Sequence, residues 1–297
     1  MKIIEATHVN KSFQVTKVVD DLSFSTEPGE ILGMVGPNGA GKTTMIRMLM
    51  DIIKPDSGEI RLFGEPIKAA SKDKIGYLPE ERGLYKKLPV AESLTYLSAL
   101  KNMSKKQSDQ RAEQLLKKVN MYVHRNKKTD ELSHGMGQLV QFVATILHDP
   151  DLVILDEPFI ALDPVNTQLL KDIIIDLKKQ GKTIVLSTHM MNQVEELCDR
   201  ILMINKGRVV LYGGLAEVKA RFRNNSVFIE ADNIPEGMPG VTGRKDHNKF
   251  TELFLDGHTP PQEVLKALIE KGAEITRFEV STPSLNEVFI QVVKEGK

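Results

Sequence analysis

The sequence has one cysteine, Cys198, no surplus of charge and no long apolar run. A single cysteine closes no internal disulfide, which fits a reducing compartment. Lys and Arg number 40 and Asp and Glu number 40. Zero net charge gives no electrostatic case for wrapping nucleic acid, though it leaves room for a local basic patch. The most apolar runs, such as Leu152 to Leu155, have the length of a buried strand, whereas a spanning helix takes roughly 20 apolar residues. At the start, Met1-Lys2-Ile3-Ile4-Glu5 meets an acid before a signal-peptide apolar region builds up. There is no internal repeat and no low-complexity tract. These absences point to a cytoplasmic chain, or one held at a membrane only through a partner.

What is present is ordinary globular material: 297 residues, 41% hydrophobic and 27% charged. That length suits one large domain and a small one, with a core that takes no disulfide or metal staple. Weakly alternating stretches at Ile3 to Val9 and Val18 to Phe24 read as strands. Ile31-Leu32-Gly33-Met34-Val35 carries no charge, as a strand buried on both faces does. A glycine turn follows, then a helix from Thr43 to Met50 whose Met45, Met48, Leu49 and Met50 fill core.

From about Val90 to Leu147 the period becomes helical, so about 88–148 reads as a helical insert. Strand Asp151 to Asp156, helix Thr167 to Lys179 and strand Thr183 to Ser187 restore βαβ logic. A hairpin closes around Lys206-Gly207. Pattern is lost near Arg223-Asn224-Asn225, which divides the chain into 1–222 and 226–297. The second part alternates strands with helices at Pro261 to Lys271 and Ser284 to Lys294, and Cys198 reads as a buried helix position. Residues 226–297 have 8 basic and 12 acidic residues, a net charge of −4, so everything before residue 226 carries +4.

Gly36-Pro37-Asn38-Gly39-Ala40-Gly41-Lys42-Thr43 fits G-x-x-x-x-G-K-[ST] at every fixed position. Glycines let successive backbone N–H groups curl around phosphate oxygens, and the following helix aims its positive end at the same anion. Lys42 supplies a full charge to β- and γ-phosphates. The Thr43 hydroxyl suits Mg²⁺, and Thr44 reaches another phosphate oxygen.

Leu152-Val153-Ile154-Leu155-Asp156-Glu157-Pro158 ends a buried strand in two adjacent carboxylates, a costly arrangement unless a cation stands opposite. Beside a phosphate loop that cation is nucleotide-bound Mg²⁺, with Asp156 as its ligand and Glu157 placed to orient or deprotonate a water.

With these motifs the sequence resembles the ATP-binding subunit of ATP-binding-cassette transporters over roughly residues 3–220. Leu132-Ser133-His134-Gly135-Met136 looks like that family's signature, Leu162-Asp163 its D-loop and Ser187-Thr188-His189 its switch-histidine segment. Phe13 matches the aromatic that stacks on adenine, although a half-buried core aromatic is a competing reading. The resemblance implies an α/β P-loop NTPase of RecA-like core, antiparallel β subdomain and helical insert, followed by a small α+β C-terminal domain. It implies ATP and Mg²⁺ as cofactors and a second copy closing face to face around two ATP molecules. Ser133 and the Gly135 backbone would then contact the γ-phosphate in trans, with Asp163 nearby and His189 helping to hold the Glu157-aligned water. A separate integral membrane permease would dock near Glu80 to Leu88, placing the chain on the inner face of the cell membrane.

Two departures stand out. Glu80, in Tyr77-Leu78-Pro79-Glu80, occupies the place where the family usually has glutamine, keeping an oxygen for Mg²⁺ but adding charge near Asp156 and Glu157. In the signature, His134 replaces glycine and Met136 replaces glutamine. Pro79-Glu80-Glu81-Arg82-Gly83 and the tail Pro283-Ser284-Leu285-Asn286-Glu287-Val288-Phe289 resemble a subgroup of sodium- and drug-export ATPases. A soluble ATPase of this type acting on ribosomes or DNA, and a nucleotide-dependent regulator that does not hydrolyse, are the alternatives.

Overall fold

The computed structural model describes residues 1–81, 83–222 and 225–295. Arg82, Arg223 and Asn224, singled out above, lie outside the described residues. The chain divides into two compact units, Met1–Leu215 and Ala216–Lys294.

In chain order the first unit begins with β1 (Ile4–Phe13), β2 (Thr16–Thr26), β3 (Ile31–Val35) and α1 (Lys42–Leu49). Next come β4 (Ser57–Leu62), β5 (Glu65–Pro66), α2 (Ala69–Asp73) and β6 (Ile75–Leu78). The helical stretch consists of α3 (Val90–Ala99), α4 (Lys105–Lys118) and α5 (His134–Ile146). β7 (Leu152–Asp156), α6 (Pro164–Lys179), β8 (Thr183–Thr188), α7 (Met191–Leu197), β9 (Arg200–Asn205) and β10 (Arg208–Gly214) complete it.

Two sheets result. One is antiparallel in the order β2-β1-β4-β5; the other runs β10-β9-β3-β8-β7-β6, parallel except for β10. Every residue of β3, β7 and β8 is buried, because elements cover a parallel strand on both faces. Met45, Met48 and Leu49 of α1 pack into the same core as Leu32, Met34, Ile154 and Val185. Helix α6 starts three residues before the sequence reading, because Asp163 caps it and Pro164 takes its first position. Cys198 is buried but stands just past α7 rather than within it. Among the described residues no helix is long and apolar enough to cross a membrane.

The division between the units falls within α8 (Leu215–Arg221). The second unit then holds β11 (Ser226–Asp232), β12 (Val241–Asp246), β13 (Thr251–Leu255), α9 (Pro261–Glu270), β14 (Glu274–Val280) and α10 (Leu285–Glu295). Its antiparallel sheet runs β12-β13-β11-β14, and Val264 and Leu268 of α9 pack on Val227, Ile229 and Leu253. Leu285 and Val288 of α10 are buried, as expected of core positions.

Close backbone approach positions α5. A Cβ at Gly76, in edge strand β6, would stand 2.3 Å from the Thr145 carbonyl oxygen. Gly76→Val is therefore expected to lower unfolding free energy by about 1–3 kcal/mol, the usual range for overpacking. Urea denaturation checks this by a fall in midpoint at unchanged slope.

Candidate active site

Neighbouring parallel strands deliver the site at their carboxyl ends, the edge at which such sheets bind ligands. Val35 of β3 pairs with Thr188 of β8, Asp156 of β7 with Ser187 of β8, and Leu78 of β6 with Leu155 of β7. The chain leaving these level strand ends surrounds a cavity of about 360 Å³. It is lined by Asn38, Gly39, Ala40, Gly41, Lys42, Thr43 and Thr44, by Glu80, Asp156 and Glu157, and by Val18 of β2.

The loop before α1 depends on glycine at two places. Gly41 has φ 108°, and a Cβ there would stand 2.7 Å from the Val18 carbonyl oxygen. Gly39 has φ 77° with open space around it. Gly41 at the N-cap of α1 has no side chain to cap the first turn, which suits its leading amides to an anion. From behind, the β9–β10 turn braces the loop: Gly207 N donates to Ala40 O at 3.0 Å, and Asp20 N to Gly207 O at 2.9 Å. Lys42 is buried, and its Nζ donates to Gly36 O at 2.7 Å and Pro37 O at 3.2 Å. Burial pulls the Lys42 pKa down, while the carboxylates of Glu157, Asp156 and Glu80 pull it back up.

Asp156 has no exposed surface, and neither carboxylate oxygen has a hydrogen-bond partner among the described residues. Burial raises its pKa, and Glu80 and Glu157 add to the rise; the nearby Ser187 and Thr43 hydroxyls hold part of it back without reaching hydrogen-bond geometry. Glu157, by contrast, is fully engaged. Its Oε2 accepts from Thr188 Oγ1 at 3.0 Å, and its Oε1 accepts from His189 N at 3.0 Å and His189 Nδ1 at 2.8 Å. The Glu157 backbone has φ 49°, a left-handed conformation that costs a side-chain-bearing residue about 1–3 kcal/mol. The bond from Glu157 N to Ser187 O, at 2.9 Å, helps to hold it there.

The other residues singled out in the sequence stand apart from the cavity lining. Gly36 is buried, with the Ile204 carbonyl 2.1 Å from where a Cβ would lie, and Pro37 is exposed; both offer their carbonyls to Lys42. Phe13 is 48% exposed at the β1–β2 hairpin, with Lys11 Nζ 5.7 Å from its ring centroid. Ser133 is exposed and caps α5 by accepting from Met136 N at 3.2 Å. Gly135 lets α5 approach Ala161, whose carbonyl would be 2.9 Å from a Cβ. Asp163 is exposed and accepts from Asn166 N at 2.9 Å.

Thr43, Asp156 and Glu80 line one cavity, and the orphaned Asp156 carboxylate fits a divalent cation. No group of three or more His, Cys, Asp or Glu side chains among the described residues makes a cage. A cation shared with substrate phosphates suits that sparse donor set. Sequence reasoning missed Val18, whose strand carried no motif. It also missed Thr188 as the second anchor of Glu157, although the switch segment contained it.

The buried charge sets a testable balance. Asp156 has its pKa raised above the ordinary 3.8, so its ionisation destabilises the fold fully above the raised value and not at all below 3.8. Asp156→Asn should therefore stabilise the nucleotide-free chain at neutral pH by about 1 kcal/mol or more, through relief of an unpaired buried charge. Thermal unfolding at several pH values checks it: the gain should shrink as pH falls towards 3.8.

Comparison with known proteins agrees with this geometry. The ABC transporter family matches residues 19–160, and the C-terminal domain of DrrA1-3-like ATP-binding proteins matches residues 213–293. An ABC transporter ATP-binding protein of Bacillus subtilis, YhaQ, is 40% identical over 96% of this chain and 97% of its own. A Nod factor export ATP-binding protein I of Paraburkholderia xenovorans is 38% identical over 71% of this chain and 70% of its own. A solved ATP-binding subunit of an ABC transporter superposes with TM-score 0.70 at 29% identity, covering 74% of this chain and 93% of its own. Two-thirds and more of each chain is shared, and the family match over residues 19–160 contains the phosphate loop and the paired carboxylates. The chain thus belongs to the ATP-binding subunits of ABC transporters, a family of ATP hydrolases.

Proposed function

We propose that this ATPase drives export through a separate permease, with residues 1–222 as the nucleotide-hydrolysing domain and 226–297 as an accessory domain. The observation that carries the site assignment is Asp156, a fully buried carboxylate without a hydrogen bond among the described residues, in one cavity with Lys42 and Glu157. Such a group is maintained against its own burial where a cation completes it. Export is supported by the printed role of the Nod factor relative. Relatives that are transporter subunits along nearly the whole chain do not favour action on ribosomes or DNA.

In this reading the amides of Gly39 to Thr44 cradle the β- and γ-phosphates, and Lys42 turns from the Gly36 and Pro37 carbonyls to the phosphate oxygens. Thr43, Asp156 and Glu80 hold Mg²⁺, which when bound neutralises charge on the terminal phosphates. Glu157 aligns the attacking water and takes its proton, with His189 and Thr188 fixing the carboxylate. Phe13, exposed at its hairpin, offers a face to adenine. Ser133, Gly135 and Asp163 lie outside the cavity of their own chain, which supports their use in trans by a second copy. Permease docking near Glu80 to Leu88 would hold the pair at the membrane.

Lys42→Ala should weaken ATP affinity roughly tenfold or more, the scale of a lost charge-assisted bond. Titration calorimetry reads this, and unchanged affinity would contradict the loop assignment. Glu157→Gln should retain ATP binding while turnover falls about 10²–10⁴-fold. Affinity purification from native membranes should recover an integral membrane protein with the chain; recovery of the chain alone would overturn the permease reading.

A further inference from the structure

A polar face of α5 grips β6 and the loop that follows it. Every second carbonyl along this stretch accepts from α5 or the turn after it. His148 Nε2 lies 3.1 Å from Ile75 O, and Thr145 Oγ1 donates to Tyr77 O at 3.3 Å. Gln141 Nε2 donates to Pro79 O and to Glu81 O, each at 3.2 Å. Among the described residues β6 pairs only with β7, so no strand there covers its outer edge. Residues 141 and 145 follow helical spacing and stack on one side of α5, and His148 extends the row from the turn after it. Burial lowers the His148 pKa to about 4, so the imidazole is neutral and donates to the carbonyl at physiological pH.

Gln141 differs from the other two in where it binds. It is 4% exposed, and its amide takes the carbonyls on both sides of Glu80, while its Oε1 accepts from Gly83 N at 3.2 Å. Glu80 is thereby pinned at both neighbours while its side chain lines the cavity with Lys42 and Asp156. The same helix has Ser133 at its amino end, eight residues before Gln141, or roughly 12 Å at 1.5 Å per residue.

We infer that Gln141 is a positioning residue for ATP hydrolysis: its amide holds Glu80 at the phosphate cavity and makes Glu80 move with the helix that presents Ser133. The isosteric alternatives separate the parts of this clamp. Methionine removes the acceptor and both donors. Glutamate keeps the acceptor for Gly83 N but loses the donors and sets a charge against two carbonyls.

The inference rests on the cavity being the ATP site, and Lys42→Ala tests that separately. In the full-length chain, ATP affinity and turnover with Mg²⁺ are measured for Gln141→Met, Gln141→Glu, Glu80→Ala and the double variants. Each Gln141 variant is expected to lose about tenfold in kcat/KM, the scale for loss of a group that orients a ligand residue. Affinity for ATP in EDTA should stay near wild type. Combined with Glu80→Ala, neither Gln141 change should add a further loss, because both act through one carboxylate. Hydrogen exchange at the Gly83 amide, without nucleotide, should quicken in Gln141→Met and stay slow in Gln141→Glu. If Gln141→Met does not fold, Gln141→Glu carries the kinetic cycle. Additive losses, or wild-type kinetics in a folded Gln141 variant, would overturn the inference. If Lys42→Ala leaves ATP binding intact, the cavity assignment falls instead.

Discussion

Asp156 has a fully buried carboxylate with no hydrogen bond among the described residues, and much of the first unit is arranged around that deficit. The strand that carries it is buried on both faces, so the phosphate cavity is the side to which the group opens. Its neighbours make matters worse before they help: Glu80 and Glu157 repel its ionised form, while the Ser187 and Thr43 hydroxyls and the buried Lys42 ammonium offset part of that. An all-protein solution would need a further donor or cation. Among the described residues none supplies it, so a ligand that brought a cation to the cavity would also stabilise the fold.

Glu157 shows the opposite solution one residue later. Its oxygens are filled by Thr188 and His189, and its strained backbone is tied to Ser187. The Glu157 carboxylate is thus held in one rotamer by the adjacent strand end, while that of Asp156 has no hydrogen bond among the described residues. Consecutive residues of like charge take different roles because successive side chains of a strand face opposite ways, and because Glu157 turns out of the strand.

Much of this was readable from residues. The uncharged runs at Ile31 to Val35 and Leu152 to Leu155 specify buried parallel strands, and the glycine loop between a strand and a helix specifies its own chemistry. Both depend on local sequence alone. What was hidden depends on pairing at a distance. β4, β6 and β12 are strands whose short or charged sequences (Glu59, Arg61, Arg244, Lys245 and Asp246 among them) carry no clear alternation; their partners decide them. Val18 gives no chemical signal until β2 is folded against the loop. Gln141 reads as an unremarkable helix position until the carbonyls around Glu80 are placed beside it.

The turn between β9 and β10 also shapes how the cavity meets its ligand. Gly207 reaches Ala40 from more than 160 residues away, and both Gly207 and Gly41 lie flush against the Val18 carbonyl. The curl of the phosphate loop is therefore built by the sheet and is complete before any anion arrives. Little backbone entropy is left for nucleotide to remove, so binding energy is available for closing the site rather than for ordering it.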